Sequence, residues 1–267
     1  MVDCSGPGCC QTGDGEIVQR HTRPAHCPPV TVLLLTASTG AGHDSTAEAL
    51  SAAVRAALPG ARVRVRDVLR RGARDTVLRA DRWYDRVVAQ APRLWGLLYQ
   101  LTNHEGMVRL SVAVAALLWG PRLRAALHAE RPDLVLSVHP LCARLAAHAL
   151  HDVPGSPPHH CVVTDLVTVH RCWAAPGVAT FYVATRQAAA ALVAASIPAA
   201  RIHVTGLPVR CGFRGPPSAP PHEPQIAVLL LGGGRATRAL TRAACTLLAS
   251  RLPLRLVVVC GRNEHLR

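Results

Sequence analysis

The stretch VTVLLLTASTGAGHDSTAEALSAAVRAAL, residues 30–58, decides the fold class. Its first eight residues form one apolar run, as expected for a strand buried on both faces of a parallel sheet. A glycine-containing turn follows, and then an alanine-rich segment with helical character that ends near Pro59 and Gly60. Next comes RVRVRD, residues 62–67, in which Val63 and Val65 share one face of a second strand. Strand, turn, helix, strand is the opening of an α/β unit.

The same rhythm continues outward. Residues 74–131 are mostly helical in pattern, and strand-like segments then return as DLVLSVH (133–139), HCVVTD (160–165), FYVAT (181–185) and RIHVTG (201–206). The alternation predicts a doubly wound, Rossmann-like α/β domain over residues 29–212. Residues 1–28, rich in Gly, Pro and Cys without periodicity, read as a disordered leader. The proline-rich stretch 213–224 reads as a linker. After it, IAVLLLGGG, a helical stretch and PLRLVVVCG open a second, incomplete Rossmann-like domain over residues 225–267.

With 267 residues, 49% of them hydrophobic and 17% charged, the chain has ample material for a core, which excludes wholesale disorder. Aromatic residues are only 3%, too few for a base-stacking surface on single-stranded nucleic acid. The formal net charge is +14, and all 30 basic residues are Arg. Such a surface attracts phosphate or anionic head groups, although a GC-rich codon bias accounts for the composition equally well. No nucleic-acid motif accompanies the charge, so no nucleic-acid partner is expected.

The ten cysteines do not form a short secreted scaffold, and no signal-peptide pattern is present, which points to a reducing cytoplasm. Cys142, Cys161, Cys172, Cys245 and Cys260 lie in apolar or patterned segments and read as buried thiols. Cys4, Cys9, Cys10 and Cys27, with His21 and His26, match no standard zinc spacing.

Chemistry is expected at two glycine loops, TGAGH (39–43) and LGGGR (231–235), each between a buried strand and a helix. Glycine allows close backbone approach, and a helix N-terminus favours an anion such as phosphate. The pair suggests a ligand held in a cleft between domains. Gly40-Ala41-Gly42 loosely mimics a dinucleotide fingerprint, with Asp67 where a ribose-binding acid would sit, but the third glycine is missing. His43 in that loop offers a base that titrates near neutral pH; helix capping or simple exposure is its structural alternative. His139, Thr164 and Asp165 fall at other strand ends, where an open α/β sheet places its site, and His170 and Trp173 follow closely.

Residues 106–120 raise the question of a membrane. About 14 residues of helix reach roughly 21 Å, against about 30 Å of hydrocarbon, so this segment is expected not to span. Two arrangements remain. It is an ordinary core helix, or it lies in the interface, with Trp95 and Trp119 at head-group depth and Arg93, Arg122 and Arg124 on anionic lipid.

At these residues the sequence resembles the monogalactosyldiacylglycerol synthase and processive diacylglycerol glucosyltransferase family, relatives of the glycosyltransferases that make the peptidoglycan lipid intermediate. The matching pieces, in order, are LLLTASTGAGHDSTAEAL, APRLWGLLYQLTN, RPDLVLSVHPL, VVTDLVTVHRCW, VTGLPVR, LLLGGGR and VVVCGRN. The resemblance implies a GT-B fold, with two Rossmann-like domains around a cleft. It implies inverting transfer of a hexose, galactose or glucose, from a UDP-sugar to diacylglycerol, with no cofactor or catalytic metal. It also implies peripheral attachment to an anionic membrane.

By the same resemblance, His43 is the general base and Asp165 orients the acceptor or a neighbouring histidine. Gly40, Gly42, His139, His170 and Trp173 line the acceptor cleft. Gly232, Gly233 and Gly234 lie against the diphosphate with Arg235 as a charge partner. The family's donor domain continues well past VVVCGRN, so this chain alone is expected to lack turnover and to bind UDP weakly at best; residues 225–267, two apolar strands and one helix with open edges, are expected to self-associate or to lean on the first domain. Two other readings stay open: an inactive relative that binds anionic lipid or phosphate, and an NAD(P)-binding oxidoreductase.

Overall fold

The computed structural model describes residues 29–37, 41–69, 91–151, 153–213, 226–232 and 238–261. The leader at 1–28, nearly all of the proline-rich stretch and the loop residues 38–40 and 233–235 lie outside them. The elements run β1 (Thr31–Thr36), α1 (Ala41–Ala57), β2 (Arg62–Asp67), α2 (Pro92–Thr102), α3 (Glu105–Glu130), β3 (Leu134–Ser137), α4 (Pro140–Leu150) and β4 (His159–Val163). They continue as β5 (Thr180–Val183), α5 (Arg186–Ala194), β6 (Ile202–Val204), β7 (Ile226–Leu231), α6 (Arg238–Ala249) and β8 (Leu254–Val259).

The first six strands form one parallel sheet in the order β2-β1-β3-β4-β5-β6. β1 is its central constraint. Val32 and Leu34 pack with Ala47 of α1 on one face, and Leu33 and Leu35 pack with Ala115, Leu123 and Leu145 of α3 and α4 on the other. All four β1 residues are at most 1% exposed. Fully burying aliphatic side chains of this size stabilises by roughly 1.5–3 kcal/mol each. The opposite end of the sheet closes on Phe181, Trp173 and Leu192. β2 is an edge strand, so Val63 is buried whereas Val65, on the same face, is left largely exposed. Arg64 and Arg66 of β2 pair with Glu130 at the end of α3, which places charge along that edge.

β7 and β8 pair in parallel as a separate two-stranded sheet with α6. Leu229, Leu231, Val257 and Val259 remain exposed on it. Cys245 is exposed too, contrary to expectation, because it lies off the face of α6 that carries the half-buried residues Leu240, Ala244 and Leu247. Cys142, Cys161 and Cys172 are buried as expected, and Cys260 is half-buried.

α3 corrects the argument from length. The helix does not stop near Gly120; it passes through Pro121 and extends over 26 residues. At 1.5 Å per residue that is about 39 Å, long and apolar enough by length and composition to cross a bilayer. Val108, Ala115, Gly120 and Leu123 are nonetheless buried, and the helix belongs to the layer packed on β1 and α4. Trp119 is a second correction. It lies one turn from both Ala115 and Leu123 and packs into their cluster, with its indole N–H buried, so its ring faces the core. Arg93, Arg122 and Arg124 are exposed, and the Trp95 side chain lies outside the described part of its helix.

Two buried histidines make the fold sensitive to acid. His159 Nε2 lies 2.9 Å from Ser137 Oγ across β3 and β4, and burial lowers its pKa to about 4. His139, just past β3, is lowered to about 3, again chiefly by burial. As pH falls below the ordinary value of 6.5, the unfolded chain takes up protons that the folded one refuses. Asp165, whose pKa burial raises, acts in the opposite sense. Stability is therefore expected to be full above about pH 6.5 and to fall toward pH 4, with each histidine adding a slope of about 1.4 kcal/mol per pH unit. Urea midpoints measured across that range check this, and His159→Gln should flatten the acid limb even though it lowers stability at pH 7.

Candidate active site

The strand order reverses between β1 and β3, and in an open α/β sheet that switch point opens a crevice at the carboxyl ends of the strands. His43 lies there in the first turn of α1, slightly deeper in the helix than the loop reading placed it. Its Nδ1 is 2.7 Å from the carbonyl of Val138, the residue that follows β3. A carbonyl can only accept, so Nδ1 carries the hydrogen and donates it, and Nε2 keeps a free lone pair. Thr164 Oγ1, after β4, lies 3.3 Å from the same Nδ1.

His139 stacks edge-on against His43 with ring centroids 4.6 Å apart. Its Nδ1 accepts the amide of Leu141 at 3.2 Å and so caps α4, which puts its hydrogen on Nε2. Trp173, fully buried, lies 6.4 Å from the His43 ring. Burial lowers the pKa of His43, while the Val138 carbonyl, Asp165 and Asp44 pull it back up. A neutral imidazole is therefore surrounded by groups that favour its protonated form once a proton arrives, which suits a general base.

Asp165 sits on the segment between β4 and the short helical turn Arg171–Trp173. Its Oδ2 accepts the amide of His170 at 3.3 Å. Burial raises its pKa; the His170 amide and the Trp173 indole, which faces it, oppose that rise. His170 in turn accepts the amide of Cys172 on Nδ1 at 3.1 Å, leaving Nε2–H toward Thr102 Oγ1 at 3.3 Å. His43, His139, Asp165, His170 and Trp173, which are scattered over 131 positions of sequence from residue 43 to residue 173, thus share one crevice.

Other expected site residues are placed differently. Gly42 lies in the first turn of α1 with open space where a side chain would project, so nothing described there requires a glycine. Gly232 follows β7, and its amide donates to Val259. Gly40, Gly233, Gly234 and Arg235 lie outside the described residues. Asp67, the candidate ribose acid of a dinucleotide site, caps its own turn by accepting the amide of Leu69 at 3.1 Å. Among the described residues no group of three or more His, Cys, Asp or Glu side chains is arranged to hold a metal ion.

Two features escape the sequence. One is the Val138 carbonyl, a main-chain group with no signature in the residue types. The other is Arg144 of α4, whose side chain is only 8% exposed and whose guanidinium reaches the carbonyls of Arg171 and Cys172. An arginine in the middle of the largely apolar helix LCARLAAHAL was the available signal.

A family model for monogalactosyldiacylglycerol (MGDG) synthase matches residues 43–209, from the candidate base to beyond β6. The chain belongs to the MGDG synthase family. It is 30% identical over 256 residues to a probable chloroplastic MGDG synthase 2 of Oryza sativa subsp. indica, covering 88% of this chain and 54% of that one. Against the chloroplastic MGDG synthase 3 of Arabidopsis thaliana it is 27% identical over 257 residues, with the same coverage of 88% and 54%. The chain thus spans about half the length of the curated relatives it matches. Among solved structures, Acinetobacter baumannii MurG aligns with a TM-score of 0.45 at 13% identity, over 89% of this chain and 68% of that one.

The tautomer and the electrostatics are directly measurable. At pH 7 the His43 ring is expected to be neutral with its hydrogen on Nδ1, visible in the ¹⁵N shifts of the imidazole, and to titrate below the ordinary 6.5. Asp165→Asn removes a carboxylate that raises the pKa and should push that titration lower still.

Proposed function

We propose that this chain supplies the acceptor half of an inverting hexosyltransferase that acts on diacylglycerol with a UDP-sugar donor. His43 Nε2 removes the proton from the acceptor hydroxyl as its oxygen attacks the anomeric carbon. The new C–O bond forms while the bond from that carbon to the diphosphate breaks, and the electron pair leaves on UDP. The imidazolium then lies in the field of Asp165 and Asp44. The single observation that carries the reading is the Val138–His43 hydrogen bond, which presents an unprotonated nitrogen at the switch point of a chain of this family.

The donor is proposed to rest near β7, with Gly232, Gly233, Gly234 and Arg235 against its diphosphate. Main-chain N–H groups and a guanidinium there would stabilise the negative charge that grows on the leaving group. An oxidoreductase reading gains nothing from the geometry, because Asp67 is turned into a local cap.

The membrane surface is proposed to be the α2–α3 hairpin. Leu94, Leu97 and Leu101 on α2 recur at helical spacing, as do Met107, Leu110, Val114 and Leu117 on α3, and all seven are exposed. Leu117 is 80% exposed. Exposed Arg93, Arg109, Arg122 and Arg124 flank these stripes, the arrangement of a peripheral anchor on anionic lipid.

Two measurements test these proposals. In a preparation that turns over diacylglycerol and UDP-galactose or UDP-glucose, His43→Ala should cut transfer by about 10²–10⁴-fold while UDP binding stays near normal; near-normal turnover rejects the base. In cosedimentation, the chain should bind vesicles containing anionic lipid, bind neutral ones weakly or not at all, and release as salt rises. Leu117→Asp together with Leu110→Asp should abolish that binding.

A further inference from the structure

The segment that carries Asp165 and His170 has almost no regular structure between β4 and β5, yet every part of it is tied down. Thr185 Oγ1, at the start of α5, donates to the carbonyl of Leu166. Tyr99 of α2 lies against the His170 ring, with centroids 4.9 Å apart, and its hydroxyl reaches the carbonyl of Thr168. Asn103 Oδ1 accepts the amide of Arg171 at 2.7 Å. From beneath, Arg144 Nη2 donates to the carbonyl of Arg171 at 3.0 Å and Nε to the carbonyl of Cys172 at 3.3 Å. Its charge is met by Glu105, in the first turn of α3, at 3.4 Å.

We infer that Arg144 is a positioning residue for the acceptor site: its guanidinium fork holds the main chain at Arg171 and Cys172, and through the His170 amide it sets where the Asp165 carboxylate stands relative to His43. Two hydrogen-bonded links and one electrostatic link join the residues. Arg144 fixes the carbonyls of the turn, the His170 amide just before them donates to Asp165 Oδ2, and Asp165 acts electrostatically on His43. A planar fork reaching two adjacent carbonyls needs guanidinium geometry, which a lysine ammonium cannot reproduce. A buried guanidinium with its hydrogen bonds made is also costly to remove, since the carbonyls left behind lose their donors.

The inference rests on the reading of His43 and Asp165 as the acceptor site, but its test is separate from that of the base. The carboxylates that raise the His43 pKa are Asp165 and Asp44, and His139 stands beside the ring. Arg144 does act directly on His170, together with Asp165. Loss of the arginine charge by itself would raise the His43 titration, so a fall on altering Arg144 reports a displaced Asp165.

The experiment is a set of imidazole NMR titrations on the 267-residue chain, as wild type, Arg144→Met, Arg144→Lys and Asp165→Asn, and with each Arg144 change combined with Asp165→Asn. Both Arg144 variants are expected to shift the His43 titration below that of the wild type. That shift should disappear in the Asp165→Asn background, since a double-mutant cycle isolates what passes between the two residues. His170 should titrate higher in Arg144→Met than in Arg144→Lys, because lysine keeps the charge.

A merely structural role would lower thermal stability and leave the His43 titration of the folded chain unmoved; that result overturns the inference. So does a His43 shift of equal size with Asp165 replaced, or an Arg144→Lys chain that titrates as wild type. Arg144→Lys decides alone if Arg144→Met does not fold. In a preparation that turns over, Arg144→Lys should lower kcat by roughly 10- to 10²-fold with the KM for the sugar nucleotide unchanged. If His43→Ala retains turnover while the titrations behave as stated, the base reading fails and the positioning of Asp165 by Arg144 stands.

Discussion

β1 has no exposed side, so α1 must close over Val32 and Leu34 while α3 and α4 close over Leu33 and Leu35. With a helix layer required on both faces, β2 is laid on one side of β1 and β3 on the other. The reversal leaves a gap at the carboxyl end of β1 between the start of α1 and the end of β3. His43 and the Val138 carbonyl meet across that gap. One hydrophobic constraint thus fixes both the architecture and the tautomer of its central imidazole.

The site is partly to fully buried, and its histidines are largely neutral. His43, His139 and His170 all have their pKa values lowered mainly by burial, and Asp165 has its own raised for the same reason. Main-chain groups then assign the hydrogens: the Val138 carbonyl on His43, the Leu141 amide on His139, the Cys172 amide on His170. A proton that reaches the His43 lone pair meets carboxylates through a medium that screens little, which is where fixed charges act most strongly.

Much of this was legible beforehand. The apolar run of β1 and the alternation of β2 gave both strands, and clustering polar residues at strand ends brought out His43, His139, Asp165, His170 and Trp173. The failures have physical causes. The segment weighed against a bilayer stops at Gly120, but the helix runs on through Pro121, since a proline inside a long helix sacrifices one hydrogen bond and need not terminate it. Trp119 suggested an interfacial ring, yet its position one turn from Ala115 and Leu123 turned it into the core. Arg144 was passed over because its partners are main-chain carbonyls, which carry no letter in a sequence.

That last property has a consequence for how such a protein diverges. Arg144 grips Arg171 and Cys172 by their carbonyls, so at the exposed position 171 the hold on the main chain does not depend on the side chain, whereas Cys172 is also fixed by its burial. Leu166 and Val167, immediately after Asp165, are exposed, and Leu166 is held through its carbonyl and not its side chain. The exposed side chains of this segment can therefore change while the main-chain geometry beneath them is held. Substitutions at the rim can thus reshape the mouth of the crevice without moving the hydrogen bond between His43 and the Val138 carbonyl.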